Sequence, residues 1–191
     1  MTYKLRTVIL IATITIFTLQ VSAQKFNGGF LGGLSASQID GDTQKGFNKL
    51  GLFTGFFVET DISTNIAAKV ELYYIGKGAI QNLNGVEVFK TQLNYVEMPF
   101  LLKFGPIKKV TFDLGFAFSY LISAKKYNYG EEYPQDLVDI HNTDFSAIIS
   151  ASYYFTEKWA FNTRFDYSIV PIGNNPNWYN SNISFGFIYL F

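Results

Sequence analysis

The sequence predicts an all-β chain: one eight-stranded antiparallel transmembrane β-barrel, wound as an up-and-down meander. Three observations predict it. The first is the period of "KKVTFDLGFAFSYLISAKK", residues 108–126. Even positions from Val110 to Ile122 are large and apolar or aromatic. Odd positions are Thr111, Asp113, Gly115, Ala117, Ser119, Leu121 and Ser123, all small or polar except Leu121. In a helix, residues two apart step about 200°, which scatters the polar positions around the axis. In an extended chain they line one face. A spanning helix would also need roughly 20 apolar residues, and this run has fewer and includes an acid. The second observation is strand length. Soluble strands run to roughly 5–6 residues, whereas most candidate strands here reach the ~9–11 of a tilted membrane strand. The third is the spacing, in which short and long connections alternate along the chain.

A strand with one greasy and one polar face also fits a soluble sandwich or barrel. Composition favours lipid. Aromatics make up 18%, with 20 Phe and 13 Tyr, and charged residues only 16%, against about 25% in ordinary soluble domains. The 191 residues suit one domain. Fifteen basic residues balance fifteen acidic ones, so no basic excess attracts nucleic acid, and no nucleic-acid partner is expected.

The N-terminal "MTYKLRTVILIATITIFTLQVSAQ" reads as an export signal: Lys4 and Arg6, then an apolar stretch from Val8 to Leu19, then the small-x-small "VSA". The expected division is a signal peptide over 1–23 and a barrel domain over 24–191. An uncleaved anchor is the alternative, for which the apolar stretch is short. Cysteine is absent, which excludes disulfides and a lipidated N-terminal cysteine and suits a bacterial envelope.

The first strand, Phe26–Ser37, is Gly-rich and weakly patterned, its glycines suited to tight packing and curvature. The second is Leu50–Thr60, the third Asn65–Gly76 and the fourth Thr91–Phe104; the fifth is the stretch described above. The sixth is Thr143–Phe155, the seventh Trp159–Val170 and the eighth Asn180–Phe191. Connections at 61–64, 105–109 and 156–158 are short. Those at 38–49, 77–90, 124–142 and 171–179 are long and polar. Short turns on one side and long loops on the other mark an outer-membrane barrel, with the short side in the periplasm. The last strand alternates Phe191, Tyr189, Phe187, Phe185 and Ile183 against Leu190, Ile188, Gly186, Ser184 and Asn182. Its aromatic face, with Phe187, Tyr189 and Phe191, resembles the signal read by the barrel assembly machinery.

Three stretches resemble the PorT-like outer-membrane β-barrel family of Bacteroidota, over essentially residues 25–191. "GGFLGGLSASQIDGD" is similar to its Gly-rich first strand, "LNYVEMPFLLKFG" to its fourth strand, and "WAFNTRFDYSIVPIG" to its aromatic-Arg seventh strand. The resemblance implies an eight-stranded barrel in the outer membrane and says little about activity. The founding member serves in a protein secretion system.

With the apolar faces outward, Glu59, Lys69, Glu71, Glu97, Lys103, Asp113, Asp144, Arg164 and Asp166 are left inside. A barrel of eight strands is just wide enough for side chains to fill it. Three bases and six acids predict a hydrogen-bonded plug with an acidic excess, and so water in the lumen or a carboxylate that stays protonated. A proton or ion path, or a catalytic pair, is the functional alternative to a structural plug. The sole histidine, His141, reads as an exposed loop residue, without the partners of a catalytic base or metal site. No phosphate loop or nucleophile elbow is present. No catalytic residue, cofactor or metal is therefore expected.

Loops on a rigid scaffold are the better place for function. Tyr127, Tyr129 and Tyr133 in the third long loop, and Trp178 and Tyr179 in the fourth, are the candidate contact residues. Tyr179 and Trp159 fit interface girdles equally well. The expected partners are membrane lipids, the assembly machinery during insertion, and envelope or secretion proteins. An interaction or assembly role is the leading expectation. A narrow channel with a wetted charged lumen is the alternative, and a lipid-acting or loop-borne enzyme is weaker.

Overall fold

The computed structural model describes residues 25–42, 46–83, 85–132, 140–174 and 177–191. The expected signal peptide and Tyr133 lie outside these residues. Eight long strands follow one another: β1 Phe26–Asp40, β2 Lys49–Ser63, β3 Ile66–Leu83, β4 Val86–Ile107, β5 Val110–Asn128, β6 Thr143–Tyr154, β7 Trp159–Ser168 and β8 Asn177–Leu190. Each pairs antiparallel with the next, and β8 pairs back onto β1, from Gly29↔Leu190 to Asp40↔Tyr179, closing the ring. Two short pieces extend the ladders: Glu131–Glu132 on β5 and Gly173–Asn174 on β8.

The period-two alternation decides which face each residue takes. On β5, Phe112, Leu114, Phe116, Phe118, Tyr120 and Ile122 are exposed on the outer wall, whereas Thr111, Asp113, Ala117 and Ser119 are buried inside. An outer face of exposed phenylalanines would be a liability in water; against acyl chains it is the expected surface. Aromatic pairs flank it. Trp159 and Tyr189 lie 4.8 Å apart near the short turns, and Tyr167 stacks on Tyr179 at 6.1 Å near the opposite rim.

Glycines close the seam between β1 and β8. Gly33 is paired with Gly186, and a Cβ on Gly33 would stand 2.2 Å from the Phe185 carbonyl oxygen. A Cβ on Gly186 would meet Cζ of Phe53 at 2.8 Å. The absence of side chains at the Gly33–Gly186 pair leaves room for the Phe53 ring, which is buried in the apolar part of the interior with Leu31, Tyr73, Ile75 and Ile188.

The connections depart from the sequence expectation at one rim. Residues 77–90 are not a long loop. β3 continues to Leu83 and β4 begins at Val86, with pairs running from Lys77↔Leu93 to Leu83↔Val86. Beyond the membrane no lipid imposes an apolar face, so the ladder continues without the alternation that signals it. For the same reason β5 reaches Asn128, paired with Phe89, and β8 begins at Asn177. Within the membrane β4 carries Pro99. The β3–β4 ladder pairs Val70 with Phe100 and Tyr73 with Glu97, and lapses between them, where proline has no N–H to donate.

Candidate functional site: the filled lumen

Every charged residue expected inside lies on the inward face, and the strands stack these residues in tiers. Nearest the short turns, Lys103 Nζ on β4 donates to Glu59 Oε1 and Oε2 on β2 at 2.8 and 2.9 Å, and to the Tyr154 hydroxyl at 3.2 Å. In the next tier Lys69 Nζ lies 2.7 Å from Glu71 Oε1 and 3.3 Å from Asp113 Oδ2. Arg164 Nη1 on β7 donates to Glu71 Oε2 at 2.8 Å, and its Nε donates to Asn162 Oδ1 at 3.1 Å. The guanidinium carbon sits 5.4 Å from the Phe53 ring centroid and 5.3 Å from that of Tyr73, beside the T-shaped pair these two rings form. Ser150 Oγ completes the tier, donating to Asp113 at 2.9 Å.

The third tier is built on a lysine of β3 that lies beyond the strand expected from the sequence. Lys77 Nζ, fully buried, lies 2.8 Å from Glu97 Oε2 on β4 and 2.5 Å from Asp166 Oδ1 on β7. Glu97 also accepts from the Tyr73 hydroxyl at 2.5 Å and from Ser119 Oγ at 2.8 Å. Asp166 Oδ2 accepts from Asn182 Nδ2 at 2.7 Å. Above it, Asp144 Oδ2 accepts from Ser168 Oγ and Asn180 Nδ2, each at 2.9 Å. Among the described residues no cation pairs with Asp144, and its Oδ1 has no hydrogen-bond partner.

The expected charge balance needs correction. Lys77 and Lys49 are both buried inside. The interior bases are therefore Lys49, Lys69, Lys77, Lys103 and Arg164, set against six acids. The large acidic excess disappears, and Asp144 is the acid left without an ion pair. The missed signal was parity. Counting in twos from Lys69 and Glu71 through Tyr73 and Ile75 arrives at Lys77.

The candidate contact residues divide. Tyr129 is 68% exposed, at φ 48° just past β5. Tyr127 is on β5 rather than in a loop, with Lys90 Nζ 5.8 Å from its ring. Trp178 and Tyr179 are on β8 rather than in a loop. Trp178 packs against the interior cluster with Lys126 Nζ 4.5 Å over its ring, so it caps the lumen instead of facing solvent. Tyr179 takes the outer, girdle position. Its parity with Phe185 and Phe187 on one face, and that of Trp178 with Asn180 and Asn182 on the other, carried this information. His141 lies in the loop before β6, as expected, but is not exposed. It is half-buried, with Nδ1 3.0 Å from the Pro171 carbonyl oxygen, so that this nitrogen carries the proton. At the same rim Lys125 Nζ bonds Glu132 at 3.1 Å, and this hydrogen bond, with the carboxylate charge, raises the lysine pKa. Phe187 and Phe191 are exposed on the outer wall beside Tyr189. Among the described residues no cluster of His, Asp or Glu has the makings of a metal site.

The comparisons with known proteins agree with this architecture. Residues 21–174 match the family described as outer membrane protein beta-barrel domain. The chain belongs to that family. Solved structures similar to this outer membrane β-barrel include Ail, the attachment invasion locus protein of Yersinia pestis. At 12% identity, with 87% of this chain and 99% of that one covered, the TM-score is 0.55. Neisserial surface protein A is similar at 14% identity, with 87% and 97% covered and a TM-score of 0.55. No curated protein sequence matches. At these identities the likeness is one of fold, an eight-stranded outer membrane barrel.

Proposed function

We propose that this outer membrane barrel works through its rims, as an interaction or assembly component of the envelope, and neither conducts solutes nor catalyses a reaction. The observation that carries this reading is the pair of ion contacts between β3 and β7, Glu71–Arg164 and Lys77–Asp166. These strands stand opposite each other in the ring, so the contacts cross the lumen at two levels and block it. Buried charges held this way serve structure more often than transport. The PorT-like reading is supported by "LNYVEMPFLLKFG", which forms the core of β4 and supplies Glu97 and Lys103 to the plug. Residues 1–23 act as a cleaved signal, and Phe187, Tyr189 and Phe191 are read by the assembly machinery.

Extraction from native outer membrane in mild detergent tests the reading. A stoichiometric envelope partner is expected, and a solitary intact barrel would sink it. A narrow wetted channel is the second reading. It is favoured by unpartnered polar atoms near the far rim: Asp144 Oδ1, Ser146 Oγ, Asn180 Oδ1 and Asn182 Oδ1. Planar-bilayer recording separates the two, since steady single-channel steps would require the channel.

A further inference from the structure

The short-turn rim encloses a cavity of about 680 Å³. The β4–β5 turn contributes Lys108 and Lys109, β2 contributes Asp61, and the β6–β7 turn contributes Glu157. These four charged side chains are exposed and make no ion pair with one another or with any other described residue. They are neutralised neither by contact nor by burial, unlike Lys103 in the same wall, which Glu59 satisfies. Lysines on one turn and acids on two others leave the mouth with positive and negative stations held apart. Between the stations the inward-facing wall carries Ala67 and Tyr154. Thr111, only 3% exposed, also lines the cavity, and its Oγ1 has no hydrogen-bond partner.

We propose that this mouth is a binding site for short zwitterionic peptides, the carboxylate end at Lys108 and Lys109, the ammonium end at Asp61 and Glu157. A simple anion would be repelled by the two acids, and a simple cation by the lysines. The volume suits a few residues, and Ala67 with the Tyr154 ring suits one nonpolar side chain between the two ends. Ala67, Lys103 and Thr111 in its lining face the interior of the ring, which favours a soluble ligand over a lipid headgroup of the same charge pattern. Exposed charges bind weakly, so the affinity expected is on the order of 0.1–1 mM. The site goes beyond the interaction role proposed above and holds whether or not an envelope partner is found.

The test is calorimetry or NMR titration of the barrel in lipid nanodiscs with the tripeptide Ala-Phe-Ala. Saturable binding is expected, and N-acetylation or C-amidation should each weaken it about tenfold. Lys108→Ala with Lys109→Ala should weaken the free peptide by a similar factor and make amidation silent. Asp61→Asn with Glu157→Gln should do the same for acetylation. All four positions are exposed at the rim, and heat-modified mobility on gels verifies folding; Thr111→Val, inside the wall, gives an independent loss. Absence of saturation, equal binding of capped and uncapped peptide, or tighter binding of phosphoethanolamine than of the peptide would each overturn the proposal.

Discussion

Arg164 on β7 meets Glu71 on β3 at 2.8 Å, from the opposite wall of the barrel. Neither strand touches the other in the sheet, so this contact exists only because eight strands have closed. Glu71 is shared with Lys69, and Arg164 is further fixed by Asn162 and by two aromatic rings. The plug is therefore a set of interlocked contacts rather than a sum of isolated pairs.

Arg164→Met leaves Glu71 with Lys69 as its only cation. Losing one partner of a buried ion pair costs about 3–5 kcal/mol. The urea midpoint for unfolding from detergent or lipid should fall accordingly, and an unchanged midpoint would argue against a buried network.

Lys77→Met strands two carboxylates, Glu97 and Asp166, and a loss of similar size, about 3–5 kcal/mol, is expected. Adding Asp166→Asn to that variant removes one of the stranded charges. In a double-mutant cycle the second change should cost less in the Lys77→Met background than in the parent, or recover stability. Strict additivity would mean that the 2.5 Å contact contributes nothing.

Asp144→Asn should be the mildest replacement among the interior acids, because no described cation depends on it and an amide oxygen can still accept from Ser168 and Asn180. Glu97→Gln, by contrast, disturbs Lys77, Tyr73 and Ser119 together. Denaturation midpoints of the two variants, measured side by side, check the ranking; a larger loss for Asp144→Asn would reverse it.

On the outer wall the cost should follow depth. Phe116→Arg, in the middle of the β5 band, should destabilise folding into vesicles by about 2–4 kcal/mol, and the same change at Ile122, near the rim, by about 0–1 kcal/mol. Equal costs would mean that the band is not centred where β5 puts it.

The Gly33–Gly186 pair should tolerate no side chain. Gly33→Val places a Cβ against the Phe185 carbonyl and the Gly186 backbone. The folded, heat-modifiable fraction should fall sharply, whereas the same change at Gly85, which meets nothing within 4 Å, costs only the strain of its positive φ.

The spanning parts were legible because lipid enforces them. Phe112, Phe116 and Phe118 had to face out, and that sent Asp113 and Ser119 inward without any knowledge of the fold. The β3–β4 hairpin was not legible, since above the membrane both faces meet water, and Lys77 at its base could be reached only by carrying the parity of β3 on past Gly76. Trp178 was hidden in an asparagine-rich stretch, although stepping back in twos from Ile188 reaches it. Nothing in the sequence could say which base meets which acid. That depends on the diameter of the ring, and Glu71 and Arg164 are separated by 93 positions.

The same dependence gives the cross-lumen contacts a metrological sense. Barrel diameter grows with strand number, and a side chain has one length. Arg164 and Glu71, like Lys77 and Asp166, act as calipers set to a single circumference. A ring that gained a strand by pairing with a neighbouring chain would pull both jaws apart and leave buried charges facing a gap. A closed polymer of this kind carries its own gauge, and the gauge reads eight.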